Sequence, residues 1–234
     1  MVVAWPSTRE GLADLQRRLA AEAAEAWHPP LGREIAIGAV FAAFSTRADP
    51  SPSERAWVAA VAGAERHTIV VAAEAPYEPG YLALREGPEL ERAIRGLTRA
   101  PDVLLVDATG RDHPRGAGLA LHLGAVLEMP TVGVTDRPLL ARIDAEGRLL
   151  LDGREVGRAV VTLSGARPVC VHAGWRTDVD TAVAVVRSAG GRARTPEPLR
   201  RARFLARSAR ARDEGRLPPG WRMDEPLPPR SLSR

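Results

Sequence analysis

Apolar positions along this chain fall into short blocks, and the spacing within each block predicts strands and helices in alternation. The strongest block is Pro101–Gly124, PDVLLVDATGRDHPRGAGLALHLG. Val103-Leu104-Leu105-Val106 is a continuous apolar run bounded by Pro101 and Gly110, the pattern of a strand buried on both faces. It ends in Asp107, which places an acid at the carboxyl end of a central strand, where open α/β sheets commonly hold ligands and metals. A Gly-containing turn, His113-Pro114-Arg115 and a helical run from Ala117 to Leu127 follow. Such a unit suggests phosphate or metal chemistry, although an ordinary β–loop–α unit with a turn aspartate reads the same way.

The remaining blocks extend the pattern. Leu12, Leu15, Leu19, Ala23 and Ala26 have helical spacing within Ser7–Trp27, with Ser7 or Thr8 as the cap. Glu34–Phe44, Trp57–Ala62 and Thr68–Ala73 read as three strands with short links, hence an antiparallel meander. A proline-stiffened loop from Pro76 leads into a helix over Glu86–Leu97, which puts Glu86 at the loop-to-helix junction. Beyond the central unit come strands at Thr131–Val134, Glu155–Leu163 and Pro168–Val171, with a hairpin over Arg142–Gly153. Helices follow at Asp178–Ala189, capped by Asp178, and at Leu199–Arg212. The order predicts a mixed sheet flanked by helices. One domain is expected over residues 1–213, with a Pro- and Arg-rich tail over 214–234 expected to be disordered.

Composition narrows this picture modestly. The chain has 234 residues, enough for one domain, and 45% hydrophobic residues, enough for a core. All 33 basic residues are arginine, against 29 acids, for a formal charge of +4. Abundant Ala, Arg, Gly and Pro suggest GC-rich coding, which weakens the arginines as a sign of nucleic-acid binding, yet guanidinium groups still suit an anionic partner. The arginines of the last helix read as a solvated face. The single cysteine, Cys170, fits a reducing, cytoplasmic setting and an inert buried thiol. No apolar run approaches the ~18 residues that cross a bilayer, so no membrane partner is expected. The first residues carry no signal-peptide pattern.

Four segments, PYEPGYLALREGP, PDVLLVDATGRDHPRGAGLALHLG, MPTVGV and AGWRTDVDTAVAVV, resemble in order and spacing the endonuclease V family of DNA-repair nucleases. The resemblance runs from about Leu12 to about Leu199. It implies an α/β, ribonuclease H-like fold and metal-dependent phosphodiester hydrolysis near a deaminated purine, deoxyinosine in DNA or inosine in RNA. It also implies a monomer and a bound Mg²⁺, with Mn²⁺ as a substitute, acting by activating water and stabilising the leaving oxygen. Glu86 and Asp107 match two of the family's metal-binding, catalytic acids. Tyr77, with Pro79 and Gly80 on the same stiff loop, matches the wedge that enters the duplex where a base is flipped. Gly110, His113 and Leu119 belong to the matching pocket for that base, and Arg85 and Arg115 are candidates for phosphate contacts.

The departures from the family pattern are as informative. The first strand, Ile35–Phe44, has no carboxylate, and Val40 or Phe41 stands where the family has aspartate. Asp136 replaces a catalytic lysine, Trp175 replaces a late histidine, and Ala108 replaces a pocket glycine. Asp136, Asp112 and His172 are the residues placed to compensate. Any ion should bind weakly, in the millimolar range of poor oxygen sites. The sequence thus supports two functions: an endonuclease V-like nuclease of weak or lost activity, or a silent relative that binds nucleic acid or a nucleoside-like ligand.

Overall fold

Strand β4 (Val103–Val106) lies in the interior of a nine-stranded sheet, and all four of its side chains are buried. The computed structural model describes residues 3–22, 24–45, 55–73, 76 and 78–217. Tyr77 and residues 218–234, most of the expected tail, lie outside the described residues. β1 (Ile37–Phe44), β2 (Arg55–Ala62) and β3 (Glu65–Ala72) form the expected antiparallel meander. β4 joins this meander by pairing parallel to β1, and β5 (Thr131–Thr135) pairs parallel to β4. The far side is completed by β6 (Arg142–Ile143), β7 (Arg148–Leu151), β8 (Arg154–Val160) and β9 (Val169–Ala173), with β9 antiparallel to β5. The order β3-β2-β1-β4-β5-β9-β8-β7-β6 is the mixed, ribonuclease H-like arrangement. Covered on both faces, β4 has no polar side to show, which explains its unbroken apolar run.

Two helical layers cover the sheet. One core joins Val40, Leu104 and Val106 to Leu90 and Ile94 of α2 (Leu82–Arg95) and Leu123 of α3 (Leu119–Leu127). The other joins Ala39, Val103 and Leu105 to Val183 and Val186 of α4 (Val179–Ser188) and to Leu199 and Ala202 of α5 (Glu197–Asp213). α1 (Arg9–Ala21) packs Leu15 and Leu19 against Leu121 of α3. The caps follow the sequence: the Thr8 side chain accepts from the Gly11 N–H, and Asp178 from the Thr181 N–H.

Two expectations about helices need correction. α2 starts at Leu82, four residues before the expected position, and runs through Pro88. Glu86 is therefore inside the helix and not at a loop junction. Pro88 lacks only one N–H, and burial of Ala83, Leu90, Ala93 and Ile94 on one stripe outweighs that loss. α5 is only partly a solvated arginine face: Arg200, Arg207 and Arg212 are exposed. Arg210 is buried and donates to the Phe44 carbonyl at 2.8 Å, and Arg201 donates to the Gly63 carbonyl. At its C-terminal end Asp213 accepts from the Trp57 indole at 2.7 Å. Among the described residues, no helix is long and apolar enough to cross a membrane.

Candidate functional site

The parallel register of β1 and β4 pairs Val40 with Val106, so the next residues, Phe41 and Asp107, stand side by side. Val40 points into the α2–α3 core and is fully buried. Phe41, on the α5 side, is thus the β1 residue that neighbours Asp107. Asp107 sits just past the end of β4, with 26% of its side chain exposed. Both of its carboxylate oxygens are taken by Arg203 of α5: Nη2 lies 2.9 Å from Oδ1, and Nε 3.2 Å from Oδ2. Arg203 also donates from Nη1 to the Thr195 hydroxyl at 3.1 Å. The Phe41 ring lies 5.7 Å from the Arg203 guanidinium and 5.4 Å from that of Arg207, within cation–π range.

Glu86 approaches Asp107 from α2. It keeps some accessible surface, but its carboxyl group is enclosed by protein. That desolvation, reinforced by the Asp107 charge and opposed by Arg85, pushes its pKa up to about 8. Glu86 is therefore mostly protonated at neutral pH. The structure brings the two acids together, as the sequence implies, but in unlike states.

A cavity of about 290 Å³ opens beside Asp107. Of the residues read from the sequence, Asp107, Pro79, Gly80, His113 and Leu119 line it. Ala108, Thr109, Gln16, Thr135, Arg137 and Leu139 are also in the wall, as is the acid Glu78. Burial, and next the neighbouring Arg115, lower the His113 pKa to about 4 against a hydrogen bond to the Gly80 backbone, so its ring is neutral. Its Nδ1 accepts from the Arg115 N–H at 3.3 Å.

Other expected site residues have different duties. Arg115 is a strut: Nε donates to Gln16 at 2.6 Å, Nη2 to the Gly80 carbonyl, and the guanidinium stacks 4.5 Å from the Tyr81 ring. Arg85 is buried, with its guanidinium 4.0 Å from the Phe44 ring centroid. Gly110 does not line the cavity; a Cβ there would lie 1.9 Å from the Ala173 carbonyl oxygen, so its small size serves loop-to-β9 packing. Trp175 packs against α1 and α3 beside Leu15 and Leu19 and does not line the cavity.

The three candidate compensators are committed elsewhere. Asp112 is fully buried and accepts backbone N–H bonds from Leu139, Leu140 and Ala141 at 2.7–2.9 Å. Asp136 is paired with Arg194 at 2.5 Å. His172 Nε2 is 2.8 Å from the Thr135 hydroxyl, and burial holds its pKa at about 4, against the pull of Asp112.

The donor set does not fit a divalent cation. Mg²⁺ needs charged, available oxygens in near-octahedral array. Here Asp107 is bonded at both oxygens to a guanidinium, and its neighbour on β1 is Phe41, which offers no ligand oxygen. Among the described residues, no three His, Cys, Asp or Glu side chains are grouped to hold an ion. Sequence reasoning missed Arg203. A strand-tip acid flanked by an aromatic residue needs a counter-charge, and the arginine-rich last helix was the place to seek it.

The comparisons agree with this architecture. The family model described as Endonuclease V matches residues 37–204. An endonuclease V from Methanopyrus kandleri is 41% identical over 158 residues, covering 64% of this chain and 68% of that protein. The crystal structure of endonuclease V from Streptomyces avermitilis superposes with a TM-score of 0.75 at 32% identity, over 90% of this chain and 96% of that one. Endonuclease V from Ciona intestinalis, in complex with a 24mer DNA containing an inosine followed by a ribo-adenosine, shares the fold: TM-score 0.72, 20% identity, 87% and 99% coverage. Taken with the paired strand tips and the cavity beside Asp107, the match across 37–204 establishes that the chain belongs to the endonuclease V family.

Proposed function

We propose that this protein recognises inosine-type deaminated purines in nucleic acid through the cavity beside Asp107, and that its phosphodiester hydrolysis is weak or lost. The observation that carries the reading is the cavity itself, a recess of about 290 Å³ at the strand tip with both apolar and hydrogen-bonding walls. A flipped base needs an apolar surface to replace lost stacking and polar groups to read its edge. Leu119, Pro79 and the neutral His113 ring supply the first; Thr109 and Thr135 of the wall supply the second. Tyr77, next to this turn in sequence, is the proposed wedge, and the relative bound to inosine-containing DNA supports the substrate class. Arg137 is exposed, lines the cavity and has no ion pair among the described residues, which suits a phosphate contact. A role in repairing deaminated bases follows from this chemistry.

Weak hydrolysis is supported by the donor set. Losing one electrostatic partner in an active site typically costs about 2.7–4 kcal/mol of barrier. The first-strand aspartate and the lysine are both replaced here, by Phe41 and Asp136.

The test compares fluorescence-labelled duplexes with and without one inosine at matched salt. Base stacking and edge contacts are worth about 1–3 kcal/mol, so the inosine duplex should bind about tenfold tighter. Equal affinities would refute base recognition. Incubation with Mg²⁺ or Mn²⁺ should yield product no faster than the Asp107→Ala control; rapid cleavage lost in that control would refute weak hydrolysis.

A further inference from the structure

We infer that Arg203 is the resident cation of the Asp107 site and stands where a divalent ion would otherwise be held, so that Asp107 binds no metal in this protein. The inference goes beyond base recognition and does not depend on it. The pairing is side-on and uses both carboxylate oxygens, at 2.9 and 3.2 Å. Such two-point contact is the geometry in which guanidinium best satisfies a carboxylate.

Arg203 is not a swinging arm. Its remaining terminal nitrogen is anchored on Thr195, and α5 is fastened to the sheet on either side of it. Arg201 bonds the Gly63 carbonyl before it, and Arg210 and Asp213 bond Phe44 and Trp57 after it.

The surroundings favour the guanidinium over a metal ion. Phe41, beside Asp107 in the register, offers a ring face in place of a ligand oxygen. A flat, weakly hydrated cation tolerates an aromatic neighbour; Mg²⁺, which holds its water shell tightly, does not. Arg207, on the same ring, adds a second positive charge that repels an incoming ion. Asp107 thus keeps a charged partner although the neighbouring carboxylate has become phenylalanine.

The test is Mn²⁺ titration of the full chain by electron paramagnetic resonance, with Asp107→Asn alongside. The expected result is no sub-millimolar Mn²⁺ site in the wild type, a measurement that requires no variant to fold. A sub-millimolar site kept in Asp107→Asn lies elsewhere and also sustains the inference. A sub-millimolar site that disappears in a folded Asp107→Asn variant overturns it. Loss of inosine preference would count against the proposed function and leave this result unchanged.

Discussion

Two aspartates five residues apart, Asp107 and Asp112, meet opposite fates. Asp112 has no accessible surface and spends both oxygens on three backbone N–H groups of 139–141. Asp107 keeps about a quarter of its side chain exposed, lines the cavity and pairs with a guanidinium from a helix 96 residues away in sequence. The deeper carboxylate is the structural one: it fixes the loop that forms one wall of the cavity through Leu139. The shallower one is at the site. Burial alone thus does not tell the two roles apart, and the nature of the partner does. Backbone donors build a loop, whereas a side-chain cation forms a charge pair at the cavity edge.

The largest effect that would test this contrast is at Asp112. Asp112→Ala strands three backbone donors, one of them buried, and should cost about 2–4 kcal/mol, lowering the melting temperature by roughly 10 °C. A drop of a degree or two would mean the loop is held by other bonds. Next comes the Asp107–Arg203 pair. Asp107→Asn, Arg203→Met and the double variant should show a coupling of about 1–2 kcal/mol in denaturant melts. Additive losses would show that the pair does not form in solution.

A third test is pH. His113, His122 and His172 have pKa values lowered to about 4, in each case first by burial. Between pH 6.5 and 4 the unfolded chain gains protons that the fold refuses, so stability present above 6.5 is lost as pH falls. Glu86 works in the opposite direction. Raised to about 8 from 4.5, it keeps a proton that the unfolded chain has released, so its contribution is lost as pH rises through 8. Stability should therefore peak at about pH 6–7, and Glu86→Gln should flatten the alkaline side. An alkaline side unchanged by that substitution would show Glu86 to be ionised. The smallest effect is expected at Arg137, exposed at the cavity mouth. Arg137→Ala should leave melting unchanged and reduce the salt dependence of nucleic-acid binding by about one phosphate contact. An unchanged salt slope would remove it from the phosphate path.

Much of this arrangement was legible in the chain. The run Val103–Val106 marked the buried parallel strand, because a strand covered on both faces has no polar side. That Asp107, His113 and Leu119 share one cavity wall was legible because the unit that carries them is local and long. What stayed hidden depends on distant pairing. That Phe41 is the β1 neighbour of Asp107 needed the β1–β4 register, which a single chain does not encode locally. Arg203 lay among similar arginines, and only the path of α5 across the sheet selects it. The internal contacts of Arg115 and Gly110 were hidden as well, since a strut or a close backbone approach uses the same residue types as a ligand contact. The start of α2 was missed because Pro76 and Pro79 suggested an extended loop longer than the one that forms, and the helix begins already at Leu82.

The most direct test of the account is the affinity of the full chain for an inosine-containing duplex, relative to its plain counterpart, in excess chelator. The account predicts that the preference of about tenfold persists without divalent ions, since His113, Leu119 and the turn at Pro79–Gly80 read the base and Arg203 already balances Asp107. A preference that vanishes in chelator and returns with Mg²⁺ would contradict it.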